Sequence, residues 1–441
     1  MRFSSHLLFK ILQETIASNI YRVAYSGGLD SHVLLYALAQ LQKKFSYITV
    51  TALYIDHRLH PRSRVWGEHC HQVCNDLGVP CKIIKINVQP AKGQSLEAVA
   101  REARYQAFKE EIQEGECLLT AQHQDDQVET VLLQLFRGTG TAGLAAMVFS
   151  QSFGKGYLIR PLLNFTQQDL KDYAYQKNLS WIEDPSNKNT DFDRNYLRHQ
   201  IIPTLKARWP GLGQTLSRVA LNQRDASTIL EDHASKHLQK IKDNQCGLSV
   251  RKLKALSPPI CRNVLRYWLK QLNLPLPDYT HLQRILNEIL PATEDTQPLI
   301  AWTGVEVRRY RDRIYAQPPM PYHNSEITLS WDGISPLILP SSVGGKLSPE
   351  FTYGEGLGIE FLQENKITVA FRQGGEKIYL KNHHHSIKKL FQQQGIPPWQ
   401  RARIPMVFFN EKLVFVAGIG IDQTFLPKPQ ERGVVIRWLS H

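Results

Sequence analysis

Cysteine is scarce, six residues in a chain of 441, too few and too scattered for a disulfide framework. No apolar stretch approaches the roughly 20 residues that a membrane span requires; the longest are short pieces such as Leu413 to Ala417. No apolar h-region with a small-residue cleavage site opens the chain. These absences set aside a disulfide-stapled secreted scaffold and membrane insertion, and they predict a reducing, cytoplasmic setting. Acid is also in deficit, with 40 Asp and Glu against 53 Lys and Arg, a formal net charge of +13. A surface of that sign gathers polyanions, nucleic acid first among them. A merely basic protein would show the same excess, so charge alone leaves both readings open. Two motifs are missing as well. There is no Gly-x4-Gly-Lys-Ser/Thr loop, which argues against γ-phosphoryl transfer, and no Cys-x-x-Cys pair to hold an iron–sulfur cluster.

What is present is an ordinary globular composition, 42% hydrophobic and 21% charged, in a chain long enough for about three domains. The first part alternates β-branched or aliphatic runs with helical patterns, the signature of βα units around a parallel sheet. Strands are predicted at Tyr21 to Tyr25, Thr49 to Ile55, Lys82 to Val88 and Cys117 to Ala121. Helices are predicted at Ser31 to Leu41, Trp66 to Leu77, Leu96 to Ile112 and Asp126 to Phe136. The fold class is therefore α/β, a doubly wound parallel sheet over residues 1–213, whose ligands gather at the carboxyl ends of the strands. A basic helix-like segment, Arg194 to Arg208, precedes the punctuation at Trp209-Pro210-Gly211. Residues 214–317 read as a mainly helical domain closed by an arginine-rich strand, Val305 to Tyr315. Residues 318–350, introduced by Pro318, Pro319 and Pro321, read as a linker. Short apolar runs separated by Gly and Pro, from about Ile327 on, lead into a small β-rich C-terminal domain at 351–441 with a helix at Ser386 to Gln393.

The strongest chemical signal is Ser26-Gly27-Gly28-Leu29-Asp30-Ser31, directly after the first strand and opening the first helix of the alternation. Adjacent glycines let backbone N–H groups approach an anion closely, and the following helix aims its positive end at the same point. Ser26 and Ser31 add hydroxyl donors. Asp30 repels phosphate unless a cation intervenes, which gives it the task of holding Mg²⁺. A Gly-Gly turn capped by Asp30 is the plain structural alternative.

This hexapeptide resembles the PP-loop of the N-type ATP pyrophosphatases. Further segments follow in the order found in the bacterial tRNA(Ile)-lysidine synthases. Tyr54-Ile55-Asp56-His57-Arg58-Leu59-His60-Pro61-Arg62-Ser63 is similar to that family's segment after the second strand, and Glu97 to Tyr105, with Arg101 and Arg104, to its next helix. Ala121-Gln122-His123-Gln124-Asp125-Asp126-Gln127-Val128-Glu129-Thr130, Arg137-Gly138-Thr139-Gly140, Arg160-Pro161-Leu162, Glu183 to Asn187 and Arg194 to His199 complete the catalytic part. Leu390-Phe391-Gln392 and Gly395-Ile396-Pro397-Pro398-Trp399, with Arg401 beyond, resemble the C-terminal domain of the longer members.

The resemblance implies an ATP-dependent ligase that joins free L-lysine to C2 of the wobble cytidine of tRNA(Ile) with a CAU anticodon, through an adenylated cytidine, releasing AMP and diphosphate. ATP and Mg²⁺ are the cofactors it implies; a homodimer is compatible with it. Catalytic roles fall to Asp30, Arg101, Glu129 and Arg194, nucleotide binding to Ser26, Gly27, Gly28, Leu29, Asp30 and Ser31, with Asp30 on the metal. Substrate binding falls to Asp56, His57, Arg104, His123, Asp126 and Arg198. Each has a plain alternative: Arg101 paired with Glu97 on the helix surface, Asp125 and Asp126 as helix caps, His123 packed, Arg194 and Arg198 on a solvated basic face. Another PP-loop tRNA-modifying enzyme such as a cytidine thiolase, or a non-catalytic RNA-binding protein, is the alternative function. Arginines 308, 309, 311 and 313, with Lys388 and Lys389, are candidate phosphate contacts. Three lures fail on context. Gly138 to Gly143 fits a dinucleotide fingerprint but follows a helix, Cys70 and Cys74 lack a second zinc-ligand pair, and Pro80-Cys81 lacks the partner cysteine of a zinc deaminase.

Overall fold

The computed structural model describes residues 2–15, 18–58, 62–90, 96–242, 247–294 and 296–439. It divides into two compact units, Met1–Leu230 and Glu231–His441. Leu59, His60 and Pro61 of the segment after the second strand lie outside the described residues, as does the Glu97 side chain.

In the first unit, six strands form one sheet: β1 Ile20–Ala24, β2 Thr49–Asp56, β3 Cys81–Lys85, β4 Cys117–Leu119, β5 Ser150–Phe153 and β6 Gly156–Ile159. Their spatial order is β3-β2-β1-β4-β6-β5. All neighbours are parallel except the edge hairpin β5–β6. The helices are α1 Ser5–Thr15, α2 Leu29–Lys44, α3 Ser63–Leu77, α4 Leu96–Glu111, α5 Gln124–Phe136, α6 Thr141–Leu144 and α7 Gln167–Gln176. Helix α2 carries an unbroken apolar run from Val33 to Ala39 and is buried on most sides; Val33, Leu34, Leu35, Ala37 and Leu38 are fully buried. That pattern suits a central helix rather than a surface one. Each such leucine contributes about 2 kcal/mol by leaving water. Strand order reverses between β1 and β4, and the crevice beyond their carboxyl ends is where such sheets bind ligands.

The basic segment near residue 200 is not one regular helix. Asp193–Tyr196 is α-helical, Leu197–Ile201 is a π turn and Ile202–Arg208 is α-helical again. Pro203 has no N–H to give the carbonyl four residues back, so the ladder slips to the wider register there.

The second unit holds two cores. One gathers Leu238, Trp268, Leu282, Val307 and Ile314 beneath a four-stranded sheet of β7 Leu248–Ser249, β8 Leu299–Trp302, β9 Val305–Tyr310 and β10 Arg313–Gln317. The arginine-rich run expected as one strand is thus a hairpin, turned at Arg311, whose φ is 53°. No glycine marks that turn, so the pattern concealed it. The other core gathers Leu347, Val369, Phe391 and Val414 between antiparallel sheets. Residues 318–350 contribute Thr328–Trp331, Leu337–Ile338 and the start of Lys346–Tyr353 to those sheets. These strands are too short for alternation to reveal.

Candidate active site

Between β1 and α2 the chain passes through Gly27 at φ 81° and Gly28, which caps α2 in an extended conformation. A Cβ on Gly27 would stand 2.8 Å from Ile182 Cδ1 and 2.9 Å from Cys70 Sγ, so the residue must be glycine for both angle and space. Ile182 N–H donates to the Gly27 carbonyl at 2.9 Å, and His32 Nδ1–H donates to the Ser180 carbonyl at 2.7 Å. Residues 180–182 thus clasp the loop from outside. The Ser31 hydroxyl accepts from Ser26 N–H at 3.2 Å, donates to the Gly28 carbonyl at 3.0 Å and shares a 3.0 Å hydrogen bond with Ser26 Oγ. Both hydroxyls therefore brace the loop, which leaves the backbone N–H groups at the start of α2 as the donors best placed for an anion.

Across the switch point, His123 follows β4 and caps α5. Its ring is 1% exposed. Nε2 lies 3.5 Å from Asp30 Oδ2 and 3.5 Å from Asp126 Oδ2, and Nδ1 lies 3.8 Å from Asp125 Oδ2. Burial disfavours the imidazolium, but the carboxylates of Asp126, Asp30 and Asp125 outweigh it and push the pKa up to about 9. Glu129 is also 1% exposed; its Oε2 accepts from Arg194 Nε at 2.6 Å and its Oε1 from Arg198 Nε at 2.5 Å. Asp126 Oδ1 accepts from the same two guanidiniums, at 3.3 and 3.1 Å. Lys206 pairs with Asp125, whose other oxygen accepts Gln167 N–H at 2.8 Å. Burial opposes ionisation of Asp125, yet these two donors hold its carboxyl below the usual range. Asp30, Asp125, Asp126 and Glu129 thus face His123, Arg194, Arg198 and Lys206, a site balanced in charge when His123 is protonated.

One acceptor is left over. Asp30 Oδ1 is buried without a hydrogen-bond partner, which suits a divalent cation held mainly by phosphate oxygens and one carboxylate. Among the described residues no group of three or more His, Cys, Asp or Glu forms a metal site by itself.

A second cluster surrounds Tyr105 on α4. The Arg101 and Arg104 guanidiniums lie 5.1 and 5.8 Å from its ring centre. Burial raises the phenol's pKa, but Arg101, Arg160 and Arg104 overcome it and draw it below the ordinary value. Burial, then Arg104, lowers the pKa of His57, whose Nδ1 is enclosed without a partner. Asp56 ends β2 and accepts Arg58 N–H at 2.9 Å.

The fold therefore gathers Asp30, His123, Asp126, Glu129, Arg194 and Arg198 in one place, and Arg101 and Arg104 around Tyr105, with Arg104 also acting on His57. Asp126 caps α5 through the His123 N–H at 3.0 Å and also binds the arginines, so the cap and the ion pair are one arrangement. Neither arginine lies on a solvated face. Lys206, Tyr105 and Arg160 were not expected as site residues; only their proximity in space shows them, although Tyr105 and Arg160 stand in quoted motifs. Cys70 and Cys74 are buried in the core, and Gly138 to Gly143 follows α5 and runs into the short α6.

Arg309 corrects one expectation. It is 5% exposed and gives Nη1 to the carbonyls of Ile289, Leu290 and Ala292 and Nε to that of Arg311. It satisfies a helix end rather than a phosphate.

Comparison with known proteins finds relatives along nearly the whole chain. A PP-loop domain family model matches residues 4–205, a TilS substrate binding domain model residues 248–315 and a TilS substrate C-terminal domain model residues 367–438. The tRNA(Ile)-lysidine synthase of Coxiella burnetii is 39% identical over 435 residues, covering 98% of this chain and 96% of that one. That of Methylococcus capsulatus is 38% identical over 423 residues, covering 95% and 96%. Among solved structures, a U34-tRNA thiolase from Methanococcus maripaludis is similar with 18% identity and a TM-score of 0.41, covering 49% of this chain and 77% of that one. With a PP-loop at the switch point of its sheet, all three domains matched and relatives aligned nearly end to end, the chain belongs to the tRNA(Ile)-lysidine synthase family.

Proposed function

We propose that the protein ligates free L-lysine to C2 of the wobble cytidine of tRNA(Ile) with a CAU anticodon, in two steps. The cytidine O2 first attacks the α-phosphorus of ATP; the bond to the β-phosphate breaks and diphosphate leaves. The lysine ε-amine then attacks C2, the C2–O bond breaks, and AMP departs with the former base oxygen while the amine gives up a proton. Adenylation is needed because hydroxide is a poor leaving group at neutral pH. The resulting lysidine pairs with adenosine, which moves decoding from AUG to AUA.

The loop Ser26 to Ser31 holds the phosphates through its backbone N–H groups. Asp30 would hold Mg²⁺, which would supply charge neutralisation on those phosphates when bound. Arg101 faces charge developing on the α-phosphate, and Arg104, Asp56 and His57 border the nucleotide or base. Glu129 orients Arg194 and Arg198 toward the reacting phosphate and the base, His123 ties Asp30 to Asp126, and Asp126, less buried than Glu129 on the same helix, receives the lysine ε-ammonium. Catalysis belongs to residues 1–213 and tRNA binding to 214–317 and 351–441, with 318–350 between them, in a cytoplasmic protein. A homodimer is compatible with this reading.

The observation that carries the reading is the PP-loop aspartate brought against the buried His123–Asp126 pair at the switch point. The test incubates the protein with ATP, Mg²⁺, lysine and the CAU-anticodon isoleucine tRNA, digests the RNA and weighs the nucleosides. A lysine-sized gain on cytidine is expected; its absence refutes the reading, and a sulfur-sized gain with a sulfur donor present would favour a thiolase instead. Asp30→Ala should abolish AMP formation while tRNA binding stays nearly intact, so a large loss of binding would remove Asp30 from its role.

A further inference from the structure

The segment Gly395 to Arg401 has no part in the chemistry above, and Arg308, Arg309 and Arg311 of the β9–β10 hairpin are engaged by groups of the protein itself. The two meet each other. Trp399, in the short helix Pro398–Arg401, packs edge-on against Tyr315 at 5.7 Å and Tyr310 at 6.5 Å between ring centres. Arg308 lies over the Trp399 ring at 5.4 Å, and Trp399 Nε1 is shut off from solvent. Arg401, 8% exposed, stacks on Tyr310 at 5.4 Å and donates from Nη2 to its hydroxyl at 2.8 Å. Arg311 covers the same ring at 5.2 Å and donates from Nη2 to the Gln392 carbonyl at 2.7 Å. Every one of these contacts joins the hairpin of one core to the helices of the other. Arg403 adds a bond to the connecting chain, from Nη2 to the Pro321 carbonyl at 2.5 Å.

We propose that Tyr310, Trp399 and Arg401 form a latch that holds the substrate-binding module and the C-terminal module at one spacing, so that both engage the same tRNA, without the latch residues themselves touching RNA. The inference rests on the tRNA substrate proposed above. Its physical content is effective concentration. Two RNA-binding surfaces fixed at the right separation bind as one, whereas a loose connection forfeits part of that gain without losing a single phosphate contact. The faces on which a base could stack are already covered by the chain's own guanidiniums, and Arg401 gives Nε to the Ile396 carbonyl and Nη2 to Tyr310 within the protein.

The experiment measures tRNA binding by the full chain over a series of salt concentrations. Trp399→Ala should weaken binding on the order of ten- to a hundredfold, with a log–log salt line parallel to that of the unaltered protein. KM for tRNA should rise while kcat at saturating tRNA stays within about twofold. Tyr310→Phe keeps the ring and loses only the Arg401 bond; a smaller, parallel weakening is expected. It decides the question if Trp399→Ala does not fold. A salt line flattened by about one unit or more would make these residues phosphate contacts and overturn the latch, as would unchanged affinity in both variants. If the unaltered chain bound tRNA but yielded no lysine-bearing nucleoside, the proposed reaction would fall while the salt lines still decided the latch.

Discussion

At Glu129 two guanidiniums share one carboxylate inside the protein, and truncating such a cluster at its centre leaves two cations without compensation. Glu129→Gln should therefore cost about 3 kcal/mol in urea unfolding and abolish modification. Gly27→Ala is worse placed than an ordinary loop substitution, because the methyl meets Ile182 and Cys70 and the backbone sits at φ 81°. Loss of ATP-dependent AMP formation with tRNA binding retained is the expected outcome, read by nucleotide assay and binding isotherm. A third residue sets acid stability. The Arg22 guanidinium grips Glu116 with bonds of 2.6 and 3.2 Å and holds its carboxyl below the ordinary range. A depressed pKa means that the stabilisation is fully present above the unfolded value, near 4.5, and fades as pH falls through the folded one. Glu116→Gln should thus lose stability at neutral pH and show a shallower decline on acidification, followed by denaturant midpoints against pH. At this scale the sequence named His123, the Asp126 and Glu129 face and the Arg194 and Arg198 pair, each apart from the others. That Arg194 and Arg198 converge on both acids, and that Lys206 and Gln167 converge on Asp125, depends on chain folding that no local pattern encodes.

Elements were legible where their periodicity was long. The four βα pairs of the first sheet fall within a few residues of the expected spans because α2 to α5 each present several turns of apolar spacing. The edge hairpin β5–β6, the turn at Arg311 and the strands within 318–350 escaped, since two to four residues cannot display alternation. The π turn at Leu197–Ile201 escaped for another reason: Pro203 was visible, but where the ladder would slip was not. Pro203→Ala restores an N–H and lets the segment close into α register, which would rotate Arg198 away from Glu129. Lower kcat, with a lowered melting temperature as Glu129 gives up one of its two guanidiniums, is the expected result.

For the whole molecule, net charge proved a coarse guide. Several arginines that contribute to the +13 are committed inside the protein: Arg22, Arg194 and Arg198 to carboxylates, Arg309 to carbonyls, Arg401 to a tyrosine. The field available to a polyanion comes from exposed groups such as Lys388 and Lys389. Lys388→Ala and Lys389→Ala should each flatten the salt slope of tRNA binding by about one unit if they meet phosphate. Arg309→Ala should leave the slope untouched and instead cost about 2 kcal/mol, because buried helix-end carbonyls lose their donor.

Gly27 touches two segments far from it in the chain, the helix that carries Cys70 and the clasp at Ile182. The phosphate loop cannot take its final shape until both have arrived, and long-range contacts of this kind form late because their loops must close first. Nucleotide recognition is then a property of the finished domain rather than of a six-residue motif. In a refolding experiment, ATP binding should recover with the slowest phase of the first unit and no earlier.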